Sequence, residues 1–328
     1  MKKIFQTLLL LVIMSSPASS FDEERYTGGG QWPVSSSDDN FIHYQDQNQS
    51  TNKNEKDEIE GRFFYDQEDV THDYQVHAIY ILASDSKDKK YDTSGTIESI
   101  VIKGNEHLKK NIDQKQFRLD FTKDGNLDVS FLRVNKTRKE INRIENAAGY
   151  FTGMAILHGF NNPKKLYTIF YQDKYKREWG QVGDALFDTP NGEVEVATGV
   201  VYLGKEKVSE AWVPHIHELF HALGFVQLCA PGAIIERNSR WGKNDHLNYK
   251  NDIMSDRGGD YLYIDKKRTE YFGHSNLNCE LDLEKSAFME PTEENFQLQP
   301  FSPTCKLTRW QPIYNHERSL ECLSKLDF

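Results

Sequence analysis

An α+β fold is what this sequence predicts, and three observations predict it. Along residues 74–225, segments with a two-residue apolar period interleave with segments whose apolar residues recur every three or four positions. The last helical segment carries His217-Glu218-Leu219-Phe220-His221, and beyond it the chain becomes a succession of polar loops. All four cysteines, Cys229, Cys279, Cys305 and Cys322, fall in that later, loop-rich part. With 328 residues, 38% hydrophobic and 27% charged, the chain has apolar material for one main core plus polar extensions.

Met1 to Ser20 opens with two lysines, continues with the apolar run Leu8 to Met14 and ends in Ala18-Ser19-Ser20, the layout of a cleavable secretory signal. The run is too short to span a bilayer and no second one of sufficient length follows, so no transmembrane segment is expected. The mature protein is expected to start near Phe21 and to be secreted or periplasmic. Residues 21–61 are polar, with few aliphatics, and cannot bury enough apolar area to offset ordering entropy. They read as a flexible polar leader or a pro-segment. Without a cysteine there, a pro-segment that blocks a metal through a thiol is excluded.

The main domain is expected over residues 62–290. Val76, Ala78, Tyr80 and Leu82 alternate with His77, Ile79 and Ile81 in a first strand. Thr96 to Ile112 has Ile97, Ile100, Val101 and Leu108 at helical spacing. Phe117 to Phe121 and Leu127 to Leu132 alternate around Asp124-Gly125-Asn126, which predicts a hairpin or close turn rather than a calcium loop, since EF-hand spacing is lacking. One long helix is predicted over Arg138 to Phe160, from Ile141, Ile144, Ala148, Phe151 and Ala155. Leu166 to Tyr171 is a continuous apolar strand suited to burial on both faces. After the turn signal Asn191-Gly192, a strand to Tyr202 leads into the motif helix and is a candidate for lining a cleft and pairing with an extended peptide. That helix is expected to start near Ser209 as N-cap, with Pro214 in its first turn, and to end at Gly224 in a left-handed conformation.

Residues four apart on a helix share a face, so His217 and His221 can direct their imidazoles at one tetrahedral metal. Glu218, beside the first of them, is placed to serve as general base toward a water at that metal. Zn2+ is the metal expected. His215 projects to another face and reads as a capping or surface residue, and His274 as structural. Tyr261 and Tyr263 are candidates for stabilising an oxyanion. In an exported chain an even number of cysteines implies disulfides. Of three connectivities, Cys229 with Cys279 and Cys305 with Cys322 keeps each bridge local, the second stapling a C-terminal appendage over 291–328. The formal net charge of −10 excludes the Lys/Arg-rich surface that nucleic acid or an anionic membrane rewards.

At these residues the chain resembles the zincin metalloproteases, and among them the metzincins, whose motif H-E-x-x-H-x-x-G-x-x-H precedes a methionine-containing turn beneath the metal. His217, Glu218, His221 and Gly224 match by position, and Asp252-Ile253-Met254-Ser255 resembles the turn. Where metzincins have a third histidine, this chain has Gln227, a poor zinc ligand beside imidazole or carboxylate. His246, eight residues before Met254, is the first candidate for the third ligand, with Asp245 and Asp252 as the others. The chain also resembles exported bacterial zincin-like proteins at Cys229-Ala230-Pro231, at Asp252-Ile253-Met254 and from Asp265 through Tyr271-Phe272-Gly273-His274, a likeness running from about Tyr74 to Met289.

The resemblance implies a zincin-like fold: a mixed twisted sheet, an active-site helix and a smaller loop-rich C-terminal subdomain. It implies a zinc-dependent endopeptidase that acts on a peptide or protein substrate; the sequence leaves the oligomeric state open, with a monomer expected. The alternatives are a catalytically silent zincin-like binding module, which the Gln227 departure keeps open, and a metal-dependent amidase of cell-wall peptides.

Overall fold

The computed structural model describes residues 57–162, 164–189, 192–205, 207–227, 229–234, 246–255 and 260–298, with the backbone of Ile42–His43 and without the side chains of 186–195. The signal, most of the leader, Asp245, and the Cys305–Cys322 pairing with the rest of the appendage after 298 lie outside the described residues. Among those described, no helix is long and apolar enough to cross a membrane.

The strands are β1 (Ile42–His43), β2 (Gln75–Leu82), β3 (Gln116–Phe117), β4 (Val129–Arg133), β5 (Lys165–Tyr171), β6 (Gly180–Thr189), β7 (Gly192–Tyr202) and β8 (Met289–Glu290). The helices are α1 (Thr96–Asn111), α2 (Arg138–Ile141), α3 (Ala147–Leu157) and α4 (Trp212–Ala222). Six strands form one mixed sheet in the order β1-β6-β7-β5-β2-β4, and β3 pairs with β8 in a separate ribbon. Neighbours from β4 to β7 run parallel, while β6 is antiparallel to β7 and β1 is parallel to β6.

Alternation along the strands divides the interior into two cores. Val76, Ala78, Tyr80 and Leu82 of β2, with Leu166 and Phe170 of β5, pack with α1 and α4 residues such as Ile100, Leu108, Ile216 and Leu219. Ile79, Ile81, Tyr167, Ile169 and Tyr171 face the other way onto Ala148, Phe151 and Ala155 of α3. Both faces of the central strands are thus covered, which is why β2 and β5 read as near-continuous apolar runs.

The structure departs from the sequence reading at several points. The single helix expected over 138–160 is two, because Asn142 ends α2 and Asn146 caps α3, its side chain accepting from Gly149 N. The turn around Gly125 forms, but its flanks meet only at a Phe121–Leu127 bridge, and β4 pairs in parallel with β2 instead of closing a hairpin. The α4 helix has no side-chain cap: Ser209 lies in a short 3-10 turn over Val208–Glu210 and Ala211 precedes the helix. Pro214 is the third residue of α4, where a backbone N–H has no intrahelical partner to lose. Strand β6 is an element the sequence reading lacks; it pairs with β7 along Gly192–Val201, and β5 takes the other side of β7 at Gly199–Tyr202, so that β7 is bonded on both sides at its C-terminal end. At the leader's end, Asp57 is 2% exposed and clasps Arg133 through two hydrogen bonds, so the fold includes residues from 57 onward.

Candidate metal centre

The α4 helix presents two faces. Ile216, Leu219, Phe220 and Leu223 are buried in the first core. His217 and His221 share the opposite stripe, one turn apart. His217 Nδ1 donates to the Ile253 carbonyl at 2.7 Å, and His221 Nδ1 donates to the Phe225 carbonyl at 2.7 Å. A ring nitrogen bonded to a carbonyl must carry the proton, so in the neutral imidazole the Nε2 atoms are bare. Burial, then the neighbouring His246, holds His217 down to about 4, against a smaller opposing effect of the Ile253 carbonyl, so it is uncharged at neutral pH.

The bare nitrogens converge. His217 Nε2 lies 3.0 Å from His221 Nε2, and His246 Nε2 lies 3.0 Å from the first and 3.3 Å from the second. Three nitrogens each about 2.0–2.1 Å from one tetrahedral zinc would stand roughly 3.3–3.4 Å apart. The observed spacing matches within a few tenths of an ångström. Two lone pairs facing each other at 3.0 Å repel, and a cation among them removes that repulsion.

Glu218, 6% exposed, lies against β6. A Cβ placed on Gly180, the first residue of β6, would come 2.6 Å from Glu218 Cγ and 2.7 Å from Oε1, so only glycine leaves the carboxylate its position. Gly224, with φ +90, ends the helix in the left-handed region and releases the chain toward Phe225, whose carbonyl holds His221.

The remaining candidates fall elsewhere. Gln227 Oε1 accepts from Leu281 N at 3.0 Å. The Asp252 carboxylate accepts from Met254 N, Asp265 N and the Tyr271 hydroxyl. Met254 is fully buried in the first core. His274 Nε2 donates to the Leu281 carbonyl at 2.9 Å. His215 is neither a cap nor at the surface: it is 1% exposed, meets Thr168 Oγ1 at 3.0 Å and packs on Phe170, and burial lowers it to about 3. Tyr261 and Tyr263 flank Leu262 near the turn, where Tyr263 exchanges backbone bonds with Asn251 and Ile253. A disulfide joins Cys229 to Cys279.

A second group of potential ligands, Asp66, His77, Asp120 and Asp128, lies near the N-terminal ends of β2, β4 and β5. It holds a cation of its own. Lys165 Nζ, 1% exposed, contacts Asp66, stands 2.6 Å from Asp120 and 2.6 Å from Asp69, and its pKa is raised: burial lowers it, and the three carboxylates more than offset that. Both His77 nitrogens are engaged, Nδ1 with Asp120 at 2.8 Å and Nε2 with Ser130 Oγ at 3.0 Å. No local sequence signal marks this group, because His77 meets Asp120 across 43 residues and Lys165 meets Asp120 and Asp66 across 45 and 99.

Neither a scan of protein-family models nor a search of curated proteins gives a match to this chain. Among solved structures, wild-type OgpA from Akkermansia muciniphila is similar at 15% identity and a TM-score of 0.32, over 47% of this chain and 49% of that one. Catalytically inactive OgpA from the same organism, in complex with an O-glycopeptide (glycodrosocin) substrate, is similar at 13% identity and a TM-score of 0.30, over 47% and 49%. The chain spans about half the length of these proteins, and likeness of this order is too slight to carry residues or activity across.

Proposed function

We propose that this protein is an exported zinc-dependent endopeptidase in which His217, His221 and His246 hold the metal and Glu218 is the general base. The observation that carries the reading is the convergence of three imidazole Nε2 atoms within 3.0–3.3 Å, two of them from one stripe of α4, where Glu218 directly follows His217. Zinc held there supplies Lewis-acid polarisation of a peptide carbonyl and acidifies a water. Glu218 takes the proton of the attacking water and passes it to the leaving amine. Its burial against Gly180 strengthens that exchange by excluding solvent. Gly180 also begins β6, so an extended peptide adding to the first part of β6 would pass close to Glu218. The pairing of β1 with β6 is confined to Phe187 and Asp188, at the far end of the strand.

The test is zinc content and casein hydrolysis of the mature chain, wild type against Glu218→Gln. The wild type is expected to hold about one zinc and to cleave, and the variant to hold zinc and lose about 10²–10⁴-fold in rate. A wild-type protein that carries zinc and cleaves neither casein nor a peptide library is a binding module, and the endopeptidase reading falls. Cleavage of cell-wall peptides alone would make it an amidase of the same chemistry.

A further inference from the structure

We propose that Asp252 is a positioning residue of this centre: its carboxylate shapes the turn Asp252–Ser255 so that two successive carbonyls, those of Ile253 and Met254, set where His217 and His246 stand. The inference rests on the metal-centre reading above. The Ile253 carbonyl receives the His217 Nδ1 proton at 2.7 Å. The Met254 carbonyl receives Leu247 N at 2.8 Å, on the residue next to His246, whose own carbonyl takes Ile234 N at 2.9 Å. One ligand from the helix and one from the loop are thus tied to neighbouring peptide groups of the same turn. A displacement of that turn changes the distance between the two imidazoles.

Asp252 is what fixes the turn. It is 5% exposed, and three donors converge on it: Met254 N at 2.9 Å and the Tyr271 hydroxyl at 2.8 Å on Oδ1, and Asp265 N at 2.9 Å on Oδ2. Ser255 N closes the turn on the Asp252 carbonyl at 3.1 Å. Two of these donors are themselves held in register. Asp265 gathers the backbone N–H groups of Thr269, Glu270, Tyr271 and Phe272 at 2.8–3.1 Å, which fixes Tyr271 relative to Asp265. Both oxygens of Asp252 must accept, so asparagine is the informative replacement: its amide would set a donor against a donor on one side. The buried methionine side chain takes no part in this chain of contacts; the backbone around it does.

The experiment compares wild type, Asp252→Asn and Tyr271→Phe. Zinc affinity is measured by competition with a chromophoric chelator, the visible spectrum is recorded for the cobalt-substituted proteins, and the histidine side-chain ¹H–¹⁵N spectrum is recorded for the metal-free ones. Asp252→Asn is expected to weaken zinc about 10–100-fold, to alter the cobalt bands and to shift or lose the His217 Nδ1–H signal. Tyr271→Phe, which removes one of three donors, is expected to move each readout in the same direction by less, and it carries the test if Asp252→Asn does not fold. An unaltered His217 signal and cobalt spectrum, with only a lowered melting temperature, would reduce Asp252 to a fold-stabilising residue and overturn the proposal. If the wild type takes up no metal, the proposed function fails, and the metal-free spectra still decide whether Asp252 positions His217.

Discussion

The centre at His217, His221 and His246 and the group around His77 are both clusters of potential metal ligands, yet their electrostatics are opposite. In the first, two imidazoles give their Nδ1 protons to carbonyls and turn bare nitrogens toward each other. In the second, Lys165 already stands among the carboxylates, and His77 has its pKa raised: burial lowers it, and Asp120, Asp66 and Asp128 more than offset that. His217 is kept uncharged, and His77 is drawn toward imidazolium. A cluster of metal-ligating residue types is therefore not yet a metal site; what counts is whether lone pairs converge where no resident positive charge sits.

The largest expected effect is at the neutral group. His246→Ala should lower zinc affinity by more than the roughly 10–100-fold that loss of an outer hydrogen bond costs, whereas Gln227→Ala, whose oxygen serves Leu281, should leave it unchanged. Chelator competition reads both, and the reverse pattern would sink the assignment of the third ligand. Next in size is the group with a built-in cation. Lys165→Met removes one partner of a buried ion cluster and is expected to cost about 3–5 kcal/mol in denaturant unfolding. In that variant alone, millimolar Mg2+ or Ca2+ should return part of the loss; equal stabilisation of the wild type would erase the contrast between the two groups.

The smallest effect is a pH dependence. His77 has a folded pKa above its unfolded value, so its contribution to stability is complete below about pH 6.5 and fades as pH rises through the folded pKa, by at most about 1.4 kcal/mol per pH unit. Unfolding midpoints of wild type and His77→Gln between pH 6 and 9 should converge toward the alkaline end. Parallel curves would mean that His77 is neutral in the fold.

How far each of these was legible follows from the distance over which it is built. His217, Glu218 and His221 are local: one helical turn sets them, and the spacing announces it. The strands β2 and β5 announce themselves because burial on both faces demands continuous apolar residues. Strand β6 does not, since Gly180 and Gly183 interrupt its alternation, and those glycines are there because Glu218 and α3 lie against them. His215 looked exposed by helical phase alone; its partner Thr168 is 47 residues away. The break at 142–146 had a local cue in Asn146, a good N-cap that an otherwise regular apolar period conceals. Asp252 was visible as a residue with ligand chemistry, but only the fold shows its oxygens taken by three donors.

The Cys229–Cys279 bridge closes a ring that contains His246, the turn at 252–255 and Asp265. Restricting the unfolded chain over its 50-residue separation stabilises the fold by about 4 kcal/mol in the chain-entropy account. The same ring limits how far the segment bearing His246 can stray from the helix bearing His217 and His221 when the fold loosens.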